Sequence, residues 1–197
     1  MVELKIVGEQ IPFAKITAGK RQPYGYSITN SASLITPVLN IGDTYEFVSP
    51  KGQSLQEGDP IAIYGACNIE ELDLSGCASC ALKVDVSRIT SESVGNSLKK
   101  LILNGDNESL TDTTFVGTDK LNRLEYLDIQ GLHKLGTIDL SGSLNLKTLL
   151  AKNTGLTEVK LAPGCLIERL ELPTSTAALI LEDLPLLTTE NLVLEGD

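Results

Sequence analysis

From Ile61 to the end of the chain, apolar residues recur in short groups at a regular spacing. Across residues 124–161 a new group starts every ten or eleven residues. This is shorter than the roughly 20–50 residues that one structural repeat takes in most solenoid proteins. The groups are Leu124, Leu127 and Ile129; Leu135, Ile138 and Leu140; Leu146, Leu149 and Ala151; and Leu156, Val159 and Leu161.

Every second group restores an ordinary repeat length. The last apolar positions of alternate groups lie 20 to 22 residues apart. They are Ile129, Ala151, Leu172 and Leu194 in one series and Leu140, Leu161 and Leu181 in the other. A unit of about eleven residues has room for a short strand and a turn but not for a helix as well. We therefore predict a mainly β solenoid with coils of about 21 residues. Each coil has two short parallel strands on opposite walls of one thin aliphatic core.

The first part of the chain has a different composition. Six of the eight aromatic residues fall within the first 64 positions, and five of the eight prolines fall within the first 60. Short alternating apolar runs, separated by proline and glycine, are typical of antiparallel strands joined by turns. The predicted organisation is a small β-rich N-terminal domain over 1–60 and the solenoid over 61–197.

Two features interrupt the regular repeat. The segment 104–123 is polar and contains glycine, which predicts an insertion on one coil, with Asp119 placed to cap a short helical turn. The chain stops at NLVLEGD, directly after a repeat strand and without a polar terminal unit. Because repeat arrays need caps, we expect further coils of the same polypeptide or a protein partner at this uncapped end.

Composition restricts the classes of partner. The net charge is −10, which disfavours a nucleic-acid backbone or an anionic membrane as a partner. No apolar run reaches the about 18 residues of a membrane-spanning helix. The N-terminal sequence lacks the basic start and continuous apolar core of a signal peptide. Localisation stays open, with a virion and a cell surface both compatible with these features.

The residues that could carry chemistry are few. Cys77 and Cys80 form a CxxC motif, which is half of a zinc site or a redox pair, but the single histidine, His133, lies far along the chain. We expect the cysteines to act as small hydrophobic residues and His133 to lie in a turn. No catalytic triad or phosphate-binding glycine loop is visible. The sequence therefore predicts no enzyme, no cofactor and no metal.

Aspartates recur one position before the last apolar residue of a unit, where strand alternation directs them outward. These residues are Asp73, Asp85, Asp128 and Asp139. The Gly- and Asp-rich nonapeptides of calcium-binding repeats are absent. We therefore expect a solvated face that keeps the sheet edges soluble.

The segments IEELDLSGC, LGTIDLSGSLNLKTLLAKNTGLTEVKL and IERLELP resemble the short leucine-rich repeats of Bacteroidetes proteins, whose pattern is roughly L-x-x-L-d-l-s-x-n-x-x-L-x-x-L. The resemblance covers about residues 61–197. It implies a leucine-rich-repeat solenoid with a non-catalytic interaction or structural role. Such stretches also resemble segments of large virion proteins of phages that infect Bacteroidetes, including crAss-like phages. One departure is that Thr154 stands at the position of the family's asparagine, with Asn153 beside it.

The outward positions of the two predicted walls give the localised indication of a binding surface. One wall combines an aromatic ring, an arginine and outward aliphatic side chains, a composition typical of an interface. Its candidate residues are Tyr126, Asp128, Leu150, Lys152, Arg169 and Glu171. The other wall carries Asp139, Lys160 and Ile180. The alternative is an ordinary surface with scattered apolar residues.

Two functions fit these features. The first is a structural or assembly module, in which the chain is one segment of a larger protein or complex such as a virion or a surface protein. The second is a free-standing module that binds a protein or a glycan on one wall. Both exclude nucleic acid and membrane insertion, and both leave a homo-oligomer open.

Overall fold

A computed structural model of the chain describes residues 12–19, 22–23, 25–28, 38–48, 61–64, 69–77, 84–85, 97–176, 178–180 and 184–195. These residues are mainly in strands and turns, and the helices among them are two short 3-10 helices, Ser75–Cys77 and Thr118–Lys120. The strands are β1 (Pro12–Ala18), β2 (Gln22–Pro23), β3 (Gly25–Ile28), β4 (Val38–Leu39), β5 (Thr44–Val48), β6 (Ile61–Tyr64), β7 (Ile69–Asp73), β8 (Val84–Asp85), β9 (Lys100–Ile102), β10 (Phe115–Val116), β11 (Tyr126–Asp128), β12 (Thr137–Leu140), β13 (Thr148–Leu150), β14 (Glu158–Leu161), β15 (Arg169–Pro173), β16 (Ala178–Ile180) and β17 (Leu192–Glu195).

Strands of alternate units pair in parallel and form two sheets. The first wall is an eight-stranded sheet in the order β17-β15-β13-β11-β9-β7-β1-β5. The second wall contains the three-stranded sheet β12-β14-β16, and β8 and β10 form a separate parallel pair. The chain passes from one wall to the other and back in each coil. This arrangement confirms the predicted mainly β solenoid with parallel strands, and it has about four coils.

The core lies between the two walls, because the inward side chains of each strand stack on those of the next coil. Leu127 pairs with Leu101 on one side and with Leu149 on the other, and Leu149 pairs with Leu170. All four leucines are fully buried. Buried residues of the second wall, such as Val159, belong to the same core cluster. Removal of this aliphatic surface from water is the main stabilising contribution to the solenoid.

The antiparallel strands predicted near the N-terminus are present, and one pair continues the first wall. Strand β1 pairs antiparallel with both β5 and β7. Ile16, opposite Leu72 in this pairing, is fully buried in the common core. Strand β1 therefore covers the edge of the first solenoid strand, which would otherwise expose unpaired backbone groups.

A column of alternating charges runs along the coils at the beginning of the first-wall strands β7 to β15. Consecutive coils place Glu70, Lys99, Glu125, Lys147 and Glu168 next to one another through backbone hydrogen bonds of 2.8–2.9 Å. The Lys99 ammonium lies 2.7 Å from the Glu70 carboxylate, and Lys147 lies 2.7 Å from Glu125. The hydrogen bond from Lys147 lowers the pKa of Glu125, and the hydrogen bond to Glu70 raises the pKa of Lys99. Opposite charges thus face each other only when the coils stack in this order.

The corner after the first-wall strands β9, β11 and β13 has a left-handed backbone. Gly105, Gly131 and Asn153 occupy this corner in successive coils with φ of 120°, 81° and 54°. The Gly105 N–H donates to the carbonyl of Gln130, and the Gly131 N–H donates to that of Lys152. Asparagine is one of the few residues other than glycine that tolerates this conformation. Asn153 therefore serves as a turn residue.

The segment 104–123 contains both a strand and a helical turn. Strand β10 pairs with β8, and the predicted turn is the 3-10 helix Thr118–Lys120. The prediction that Asp119 caps this turn is wrong. The N-cap position belongs to Gly117, which is left-handed with φ 82° and ψ 15° and has no side chain to accept a hydrogen bond. Asp119 lies within the helix instead and pairs with Lys120 at 2.7 Å.

Candidate functional site

The six residues predicted from the sequence form one patch on the outer face of the first wall. Tyr126 and Arg169 flank Thr148 in one row across strands β11, β13 and β15. Asp128 and Glu171 flank Leu150 in the parallel row two residues further along. Lys152 follows β13 and reaches Glu171. We name these residues, Tyr126, Asp128, Leu150, Lys152, Arg169 and Glu171, the outer patch.

The carboxylates of the outer patch are buried although they point away from the core. Asp128 is 5% exposed and Glu171 is 3% exposed, so the expectation of a solvated Asp128 is wrong. The Asp128 carboxylate accepts hydrogen bonds from the Asn104 side chain at 2.8 Å and from the Gln130 side chain at 3.2 Å. One side chain of the neighbouring coil and one of the same coil therefore replace the water that a strand position alone would receive.

Glu171 is held by two cations. The Arg169 Nε donates to Glu171 Oε1 at 2.7 Å, and the Lys152 ammonium lies 3.4 Å from Glu171 Oε2. A buried carboxylate needs such partners because the loss of hydration is costly. The Glu171 side chain is 4% exposed, whereas that of Arg169 is 61% exposed. The guanidinium thus neutralises the carboxylate from above and still faces solvent.

Tyr126 lies half-buried between these charges. The Lys100 ammonium is 5.5 Å from the centre of its ring, a distance suited to a cation–π contact. Burial raises the pKa of the Tyr126 hydroxyl, and the negative charges of Asp128 and Glu171 raise it further against the opposing effect of Arg169. The phenol therefore stays protonated at neutral pH and can donate a hydrogen bond.

A small cavity adjoins the outer patch on the same face. Its volume is about 110 Å³, and its lining includes Lys15, Thr17, Glu71, Asp73, Lys100 and Ile102. Lys100 lines the cavity and also contacts Tyr126, so the two features are continuous. This cavity could not be predicted from the sequence, because it depends on the pairing of β1 with β7 across more than fifty residues of chain.

The outer face of the second wall differs in burial. Asp139 and Lys160 pair at 3.2 Å, but their side chains are 45% and 49% exposed. Burial alone would raise the pKa of Asp139, but hydrogen bonds from Ser141 and Lys160 outweigh it and lower the pKa. The side chain of Ile180, the third predicted residue of this wall, lies outside the described part. Buried charged groups thus distinguish the outer patch from Asp139 and Lys160.

Several of the outward aspartates have a local role that the sequence analysis missed. The Asp73 carboxylate accepts the Ser75 N–H at 2.9 Å, and the Asp139 carboxylate accepts the Ser141 N–H at 2.9 Å. Asp128 accepts the Gln130 N–H in the same way at 3.2 Å. Each carboxylate thereby closes a turn at the end of its strand. The D-L-S sequence at Asp73 and Asp139 was the available signal for this role.

The remaining candidate chemistry is limited. Cys165 is a free cysteine in the core, as expected of a small hydrophobic residue, and burial raises the pKa of its thiol. Cys67 and Cys80 lie outside the described residues, and so does the side chain of Cys77. His133 lies in a turn as predicted, 3.8 Å from Asp106.

Two wider features of the described ranges bear on the type of site. No group of three or more histidine, cysteine, aspartate or glutamate side chains in these ranges is placed to hold a metal ion. Among the same residues, no helix has the length and apolar character needed to cross a bilayer.

Comparisons of the chain with protein-family models, with curated proteins and with solved structures gave no match.

Proposed function

We propose that the chain is a non-catalytic structural or assembly module, a leucine-rich-repeat solenoid with coils of about 21 residues that joins proteins in a larger complex. The repeat pattern and its resemblance to short leucine-rich repeats of Bacteroidetes support this role. A virion or a cell surface is the setting that the resemblance favours.

The observation that carries the proposal is an exposed row of leucines at one corner of the solenoid. Leu144, Leu166 and Leu186 lie in the turns that lead from the second wall to the first in three successive coils, and they are 56%, 39% and 43% exposed. The Leu166 N–H donates to the Leu144 carbonyl at 3.3 Å, so these two turns are adjacent. We name these three residues the leucine stripe. Aligned apolar side chains at a surface are typical of a protein contact.

A second candidate function is a free-standing module that binds a protein or a glycan through the first wall. The outer patch favours it, because a half-buried tyrosine and an exposed arginine above buried, satisfied carboxylates form a rigid surface. Aromatic and arginine side chains contribute much of the binding energy in protein interfaces.

Light scattering coupled to size-exclusion chromatography separates the two functions. An assembly module self-associates, and replacement of the three stripe leucines by glutamine returns the chain to a monomer. A free-standing binding module is a monomer before and after this change. The wild-type chain also tests the proposal itself. If it stays monomeric at about 100 μM, assembly through the leucine stripe is contradicted.

A further inference from the structure

The outer patch contains both carboxylates and cations, but the carboxylates are buried and a cation is exposed to solvent. Its carboxylates are at most 5% exposed and are hydrogen-bonded to protein groups. The Arg169 side chain is 61% exposed, and the neighbouring Lys100 side chain is 39% exposed. An approaching molecule therefore meets cationic groups on a chain whose net charge is −10.

We propose that the outer patch binds an extended acidic peptide segment, with one peptide carboxylate on Arg169 and an apolar peptide side chain over the half-buried ring of Tyr126. This inference rests on the proposed use of the first wall as a contact surface. The planar guanidinium suits a carboxylate, with which it forms parallel hydrogen bonds. The ring of Tyr126 supplies an apolar surface beside it, whereas Leu150 is only 9% exposed and supports this surface from below.

The spacing of the cations sets the pattern of the peptide. Lys100 and Arg169 lie in one row, three strand steps apart through Tyr126 and Thr148. At about 4.8 Å per step this is roughly 14 Å, and an extended peptide covers about 13 Å in four residues. Peptide residues i and i+4 also point to the same side. Acidic residues with this spacing can therefore reach both cations at once.

Two features favour a short acidic peptide over a long polyanion. The net charge of −10 repels a nucleic acid at long range, whereas one or two carboxylates are attracted only within the patch. Lys100 also lies 3.9 Å from Glu71, which is 49% exposed, so its charge is partly neutralised. Arg169 is likewise paired, with Glu171 at 2.7 Å, but its side chain is 61% exposed against 39% for Lys100, so it is the more accessible of the two cations.

The test is fluorescence polarisation with a labelled peptide of about ten residues that carries glutamates at i and i+4 among valines and threonines. The comparison probes are the same peptide with glutamines and a labelled oligonucleotide. We expect the glutamate peptide to bind with a Kd below about 100 μM and the glutamine peptide at least about tenfold more weakly. No binding of the glutamate peptide at about 1 mM, equal binding of the glutamine peptide, or tighter binding of the oligonucleotide overturns the proposal.

Three variants test whether the peptide binds at the outer patch. Arg169→Gln is expected to weaken binding about tenfold or more, whereas Lys160→Gln, which removes an equal charge from the second wall, leaves it within about twofold. Thr148→Glu puts a carboxylate between Tyr126 and Arg169 and is expected to abolish binding without removing a partner of a buried charge. Circular dichroism confirms that each variant is folded. Equal losses in Arg169→Gln and Lys160→Gln, or full binding by Thr148→Glu, contradict the assignment.

The outcome is separable from that of the proposed function. If the peptide does not bind but the leucine stripe still mediates self-association, the acidic-peptide inference falls and the assembly role stands. If the peptide binds and the chain remains monomeric, the free-standing binding module is supported instead.

Discussion

Replacement of Leu149 by alanine tests the shared core most simply. Leu149 lies at the centre of β13, in register with Leu127 and Leu170 on the neighbouring coils, and is fully buried. The substitution removes most of its side chain from a core that is only two strand layers thick. Neither wall can move inward without disturbing its parallel pairing, so a cavity remains.

The expected cost follows from this geometry. Leucine-to-alanine changes at fully buried sites cost about 2.7–5.0 kcal/mol, and poor collapse places a site in the upper part of that range. We expect Leu149→Ala to lower the free energy of unfolding by about 4 kcal/mol. Leu144→Ala is the matched control, because Leu144 is 56% exposed and should cost no more than about 0.5 kcal/mol.

Urea denaturation followed by circular dichroism measures both variants. Leu149→Ala should shift the midpoint strongly, while Leu144→Ala should overlay the wild type. A loss below about 1 kcal/mol for Leu149→Ala, or equal losses for the two variants, would refute a common core between the walls. If the unfolding free energy depends less steeply on urea concentration in Leu149→Ala alone, one end of the solenoid unfolds separately.

Four further substitutions test corners and turns. Gly142→Ala is expected to cost about 3 kcal/mol in urea denaturation, because its methyl group would meet a backbone carbonyl of the preceding coil. Gly164→Ala should cost only about 1 kcal/mol, since that position has free space and only an unfavourable φ of 72°; equal costs would contradict the close approach. Thr154→Val removes a buried hydrogen bond of 2.9 Å to a backbone carbonyl and should lower the free energy of unfolding by about 1 kcal/mol, so an unchanged midpoint would exclude a role for that hydroxyl. Asp139 has a lowered pKa in the folded state, so its contribution is present at neutral pH and is lost as the pH falls through the folded value. When the pH falls below about 4, the free energy of unfolding of Asp139→Asn should therefore decrease by roughly 0.5 kcal/mol less than that of the wild type. An unchanged pH profile would contradict this.

The sequence was sufficient to predict the arrangement of the strands. Alternation of apolar residues and the doubled period require that Leu127 and Leu149 point inward from parallel neighbours, and the structure has this arrangement. The same reasoning placed Tyr126 and Arg169 on one outer face. These features depend on local periodicity, which a sequence displays directly.

Burial on the outer face could not be predicted in the same way. Asp128 is buried because Asn104 and Gln130 cover it, and Glu171 is buried because Arg169 lies across it. Strand alternation gives the direction of a side chain but not the conformation of its neighbours in the same coil or in the adjacent one. The antiparallel strands β1 and β5, which continue the first wall, were not predicted to join it for a similar reason, because the pairing of β1 with β7 joins distant parts of the chain.

The register of the second wall is the most direct test of the account. With the four native cysteines replaced by alanine, cysteines at positions 137 and 158 replace Thr137 and Glu158, which are paired neighbours on β12 and β14. We expect a disulfide to form rapidly between them in the folded protein, because paired strand positions lie within bonding range. The comparison variant carries cysteines in place of Asp139 and Thr148, which belong to opposite walls. A disulfide in the comparison variant and none between positions 137 and 158 would contradict the two-walled solenoid.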